Sequence, residues 1–174
     1  WYEWTKSSEP TGVTIVISPS RENAAILFLD LQEEIVKNSR TLPVGRLRRA
    51  AGCLSKLAVL HKLPVFLSAV PPGGAFLDEV TKPLADVAPR MRTETTAFAD
   101  PGLVKDLSDC GRKVLLLTGV ASEIVVQRTA LDALAAGYEI QVAVDACGGV
   151  DPRTEDAAWR RIAGAGGSTS SAIT

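Results

Sequence analysis

Apolar positions along this chain fall into two alternating patterns. Short unbroken runs recur at Ala24-Ala25-Ile26-Leu27-Phe28-Leu29, Pro64-Val65-Phe66-Leu67, Val114-Leu115-Leu116-Leu117 and Ile140-Gln141-Val142-Ala143-Val144. A weaker run covers residues 168–173. Such runs suit strands buried on both faces, as in parallel sheets. Between them the apolar residues take helical spacing: Leu47, Ala50, Ala51, Leu54, Leu57 and Ala58 share one face. Asp100-Pro101 predicts an N-cap with proline at the first helical position, and Gly111 closes that helix. Ser122 predicts the N-cap of a helix reaching about Ala136 and stopped by Gly137. Asp151-Pro152 opens another, carrying Ala158, Trp159 and Ile162. Strands alternating with helices predict an α/β fold: a parallel sheet, right-handed crossovers and helices on both faces. Residues 71–92 hold Pro71, Pro72, Gly73, Gly74, Pro83 and Pro89, and read as a long irregular excursion with one short helix. Loops of this length in compact domains are often functional.

In open α/β sheets ligands bind at the carboxyl ends of the strands. That directs attention to Asp30, residues 69–74, residues 119–125 and residues 145–149. An acidic residue directly after a buried run is costly unless it is bonded or paired. Asp30 therefore reads either as the N-cap of a helix starting at Leu31-Gln32-Glu33 or as a carboxylate poised for acid–base work. Gly119-Val120-Ala121-Ser122-Glu123 bends a strand into a helix, whose first N–H groups face an anion or oxyanion.

Composition narrows the function. At 174 residues the chain fits one domain, 1–174, with 1–17 as an N-terminal extension. Nineteen basic against twenty acidic residues leave a net charge of −1, with no footprint for nucleic acid or a membrane surface. No apolar run reaches the ~18 residues of a membrane span. Cys53, Cys110 and Cys147 are an odd set without metal-ligand spacing, and His61 is the single histidine, so neither a disulfide framework nor a metal centre is expected. Without a secretory signal, a cytoplasmic location with reduced thiols is expected. The chain opens at Trp1 rather than Met, which reads as a fragment or a processed chain.

Several of these segments together carry a resemblance. Ala24 to Gln32, then Thr96-Ala97-Phe98, Leu117-Thr118-Gly119-Val120-Ala121-Ser122-Glu123, Gly137-Tyr138-Glu139 and Asp145-Ala146 are similar to the isochorismatase-like (cysteine hydrolase) superfamily. The tail from Ala158-Trp159-Arg160-Arg161 through Ala165 resembles its YcaC-like subgroup. The resemblance implies a three-layer α/β/α sandwich around a mostly parallel six-stranded sheet, and a homo-oligomer. It implies hydrolysis of a small amide, imide or enol ether without a cofactor. Asp30 matches the catalytic aspartate. The basic position falls at Arg92, or at Arg90 if the loop is gapped differently. Gly119, Val120, Ala121 and Ile124 match the substrate-binding turn. The nucleophile position falls on Val125, which has no lone pair to attack a carbonyl and closes the covalent thiol route. Two functions stay open: a hydrolase in which Asp30 activates water, and an inactive relative that binds a small molecule or only assembles. Arginine beside Asp30 is expected to lower its pKa. Elsewhere, Cys53 is expected to be a buried inert thiol, Cys147 a packed thiol near the site, and Arg46, Arg48 and Arg49 a solvated face or an oligomer contact. Glu123 is expected either to pair across subunits or to favour its own helix start.

Overall fold

A computed structural model describes residues 18–84 and 86–173; the N-terminal extension expected over 1–17 lies outside them. Six strands form one sheet: β1 (Ala24–Leu29), β2 (Val65–Ala69), β3 (Arg90–Met91), β4 (Val114–Gly119), β5 (Glu139–Ala143) and β6 (Ser168–Ser170), in the order β3-β2-β1-β4-β5-β6. Every pairing is parallel. The order reverses at β1, which lies between β2 and β4, so its carboxyl end is a topological switch point.

The helices are α1 (Glu33–Val36), α2 (Val44–His61), α3 (Asp78–Thr81), α4 (Pro101–Asp109), α5 (Gln127–Ala135) and α6 (Pro152–Gly164). Strand side chains alternate between faces, and β1 feeds two cores. Ile26 and Phe28 join Leu47, Ala51 and Leu54 of α2. Ala25, Leu27 and Leu29 join Leu103 and Leu107 of α4, Ala130 and Ala133 of α5, and Ile162 of α6. The result is the three-layer α/β/α sandwich.

The caps behave as the sequence predicts at two helices. Asp100 accepts from the Gly102 N–H and Asp151 from the Arg153 N–H, both at 2.8 Å. Gly111 and Gly137 take positive φ at 67° and 88°. Three expectations fail. Ser122 caps nothing: its hydroxyl donates to Glu155 at 2.7 Å, and a wide π-type turn over Ser122–Val126 precedes α5. Cys53 is exposed, because it points away from the core flanks of its neighbours Gly52 and Leu54. The excursion over residues 71–92 holds α3 and also the edge strand β3, too short to show as an apolar run.

Candidate functional site

The site is built where β1 ends. Glycine at 119 lets β4 close on β1 there: a Cβ would lie 2.2 Å from the Leu29 carbonyl oxygen. The Val120 N–H donates to that same oxygen at 3.2 Å. Asp30, the next residue of β1's chain, takes the left-handed conformation at φ 52°, which costs a non-glycine residue free energy but which Asp tolerates better than most. Gln32 is buried and pins the loop after β2: its amide donates to the carbonyls of Val70 and Gly74, and its oxygen accepts from the Val70 N–H.

Asp30 does not cap a helix. Arg92, just past β3, donates from Nη1 to Oδ1 at 2.6 Å and from Nη2 to Oδ2 at 2.7 Å. Its Nη1 also donates to Ser68 Oγ at 2.9 Å, and its Nη2 to the Thr95 carbonyl at 3.4 Å. The guanidinium is thus clamped between β1, β2 and the loop before α4, while its Nε has no partner among the described residues. Arg90, the alternative basic residue, turns away to Asp106, with Asp100 at 3.9 Å. One expectation is corrected here. The Asp30 carboxyl sits above its ordinary value, because burial disfavours the charged form by more than Arg92 favours it.

Asp30 forms part of the wall of a cavity of about 420 Å³, within the range of small-molecule sites. Ile35, Val120, Ala121, Ile124 and Val125 also line it, and the exposed residues Asn38, Arg40 and Val150 form its rim. The predicted residues Asp30, Val120, Ala121, Ile124 and Val125 therefore come together. Gly119 and Arg92 lie outside the wall, Gly119 allowing strand contact and Arg92 backing Asp30. The Val120–Ala121 peptide is cis. Backbone N–H groups of Ser122, Ile124 and Val126 are already bonded to Gly148 and Ala121 carbonyls, whereas that of Ala121 has no acceptor among the described residues.

The remaining candidates are structural. Cys147 is fully buried, and burial pushes its thiol up to about 12. Among the described residues no cysteine lines the cavity. Glu123 accepts from the N–H groups of Val150 and Asp151 at 2.8 and 3.2 Å and from the Thr154 hydroxyl at 2.9 Å, so it serves the start of α6 rather than its own helix. Among the described residues no cluster of three or more His, Cys, Asp or Glu side chains is placed to hold a metal. The lining residues Ile35, Asn38, Arg40 and Val150 escaped the sequence reading. Their one signal was position: residues 35–40 follow closely on β1's carboxyl end.

Residues 24–174 match the family model described as the isochorismatase domain. The chain belongs to the isochorismatase family. Within it, the chain is 27% identical over 150 residues to the probable hydrolase YcaC of Escherichia coli, covering 84% of this chain and 72% of that protein. The solved structure of that E. coli protein superposes with a TM-score of 0.85 at 26% identity, covering 89% of this chain and 78% of the other, and is described as an octameric hydrolase of unknown specificity. YcaC from Pseudomonas aeruginosa, solved with hexane-2,5-diol and covalent acrylamide, gives the same TM-score and identity over 89% of this chain and 79% of its own. These likenesses put the chain with the YcaC-like members of the isochorismatase family.

Proposed function

We propose that this isochorismatase-family chain uses the cavity beside Asp30 to bind a small amide, imide or enol ether and acts on it without a covalent thiol step. The observation that carries the reading is the side chain at the cavity wall: Val125, which the sequence resemblance aligns with the family's nucleophilic cysteine, is an apolar residue only 2% exposed. Its stiff β-branched side chain cannot swing aside. Cys147 cannot replace it, being buried and firmly protonated at neutral pH.

What remains supports water chemistry. Each Asp30 oxygen gives one lone pair to Arg92 and keeps another for a ligand or a water. Its raised pKa makes it a better base than an ordinary aspartate. For an amide, Asp30 takes a proton from water and the hydroxide oxygen adds to the carbonyl carbon. The C–N bond then breaks, and the departing nitrogen receives the proton held by Asp30. The Ala121 N–H, on a residue that lines the cavity and without an acceptor among the described residues, is a backbone donor for the carbonyl oxygen. A second reading, binding without turnover, is favoured by the double grip of Arg92 on both Asp30 oxygens, which restricts how a water approaches. The octameric E. coli relative and the exposed side chains of Leu60 and Ile173 support a homo-oligomer, to be read as mass by light scattering; a stable monomer overturns it.

The test of the thiol-free route is Val125→Cys in a Cys53→Ser background, since exposed Cys53 would itself react. Acrylamide labelling of residue 125 and alkylation-sensitive amide turnover are expected only in the variant. Alkylation-sensitive turnover by the Cys53→Ser parent overturns the proposal. Slow turnover by the parent that alkylation spares and Asp30→Asn abolishes identifies the water route. No turnover by the parent, with labelling in the variant, identifies binding alone.

A further inference from the structure

Among the described residues the cavity wall carries one cationic side chain, Arg40, and nothing in the described chain pairs with it. Arg40 and Asn38 stand at its rim, and neither side chain has a hydrogen-bond or ion-pair partner among the described residues. The backbone beneath them is nonetheless tied down. The N–H groups of Arg40 and Thr41 donate to the Gly149 carbonyl at 2.7 and 3.3 Å, and the Gly149 N–H returns a bond to Thr41 Oγ1 at 2.8 Å. Ser39 Oγ donates to the Leu42 carbonyl at 2.6 Å. The loop is thereby stapled to the segment after β5, and the Arg40 stem is positioned while its guanidinium stays uncommitted.

Charge balance gives this position its meaning. Asp30 is the sole carboxylate in the wall among the described residues, and Arg92 already neutralises it. Arg40 therefore sets the charge that a ligand meets. The remaining lining, Ile35, Val120, Ala121, Ile124, Val125 and Val150, is apolar. A cavity that joins an exposed, unspent guanidinium, six apolar side chains and a buried, neutralised carboxylate fits a molecule with a negative group and an uncharged polar end.

Resting on the reading of this cavity as the ligand site, we propose that Arg40 is its specificity-determining residue and that the ligand is a small carboxylic acid. Its carboxylate pairs with the Arg40 fork, assisted by the Asn38 amide, and its uncharged amide, imide or enol-ether end faces Asp30. Arginine suits this role because its planar fork reads a carboxylate with two parallel hydrogen bonds, and because it stays charged at every accessible pH.

The test compares matched acids and amides: succinamate with succinamide, and benzoate with benzamide, titrated at low salt and followed by ¹⁵N-resolved NMR. In the unaltered protein at least one acid is expected to bind about tenfold more tightly than its amide, the scale of a single charge-assisted contact. Arg40→Gln is expected to erase that preference, Arg40→Lys to keep part of it, and added salt to weaken it. Equal binding of acid and amide, a preference that survives Arg40→Gln, or binding of none of the four probes overturns the proposal. The Val125→Cys labelling experiment separates the two claims. If acrylamide labels that variant while acids gain nothing over amides, the anion assignment alone falls. If neither labelling nor binding occurs, the ligand-site reading falls with it.

Discussion

Two arginines in this chain grip carboxylates with the same two-pronged geometry and opposite electrostatic outcome. Arg92 meets Asp30 at 2.6 and 2.7 Å, and Arg48 meets Glu33 at 2.8 and 3.0 Å while also holding Glu79 at 2.8 Å. The Arg92 and Asp30 side chains are 3% and 7% exposed, those of Arg48 and Glu33 26% and 39%. Burial drives Asp30 upward despite its partner, whereas hydrogen bonds from Arg48 hold Glu33 and Glu79 below their ordinary values. Contact geometry does not set the sign; access to water does. The outer cluster is a brace, joining the start of α1 to α2 and α3. The inner pair is a poor source of stability, because a buried ion pair regains its desolvation cost only partly. Its Asp30 half lines the cavity, with Arg92 behind it.

The largest effect expected from this contrast comes from removing one inner partner. Arg92→Ala leaves Asp30 buried and unpaired and should cost about 3–5 kcal/mol of unfolding free energy, measured by urea denaturation. Adding Asp30→Asn to that variant should restore part of the loss, because the uncompensated charge is then gone and Asn also tolerates the left-handed conformation of this position. A cost below about 1 kcal/mol for Arg92→Ala, the level of an exposed pair, would erase the distinction between the two clusters.

The same contrast explains what the sequence made legible. Asp30 was conspicuous because a carboxylate after six buried residues has to be accounted for, and β1 and β4 were conspicuous because both faces of each are covered. β3 was not, since two residues at a sheet edge leave no apolar run. The direction of the Asp30 pKa was misjudged because a sequence names a charged partner without showing how much water the pair loses. The rim was missed for a related reason. Asn38 and Arg40 look like ordinary surface residues until Gly149, more than a hundred positions away, is seen to anchor their loop. The brace was half visible, with Arg48 taken as part of a solvated face or an oligomer contact and its acidic partners unassigned.

The smaller effects lie in that brace and in its response to acid. Arg48→Met should cost about 0.5 kcal/mol, since partly exposed pairs are screened, and less in high salt. Glu33 and Glu79 have folded pKa values below their ordinary 4.5. Their contribution is fully present above the unfolded value and is lost as pH falls through the folded values. Asp30 has a folded pKa above its ordinary 3.8, so the folded chain takes up that proton first. The resulting penalty is absent below the unfolded value and grows as pH rises through the folded one. Stability curves for the parent, Arg48→Met and Asp30→Asn, measured from neutrality into the acid range, should therefore separate in opposite senses. The advantage of the parent over Arg48→Met should shrink as pH drops below 4.5. The parent should gain on Asp30→Asn as pH falls toward 3.8. If both differences bend the same way, Asp30 titrates as an ordinary paired carboxylate, and Arg92 outweighs burial after all.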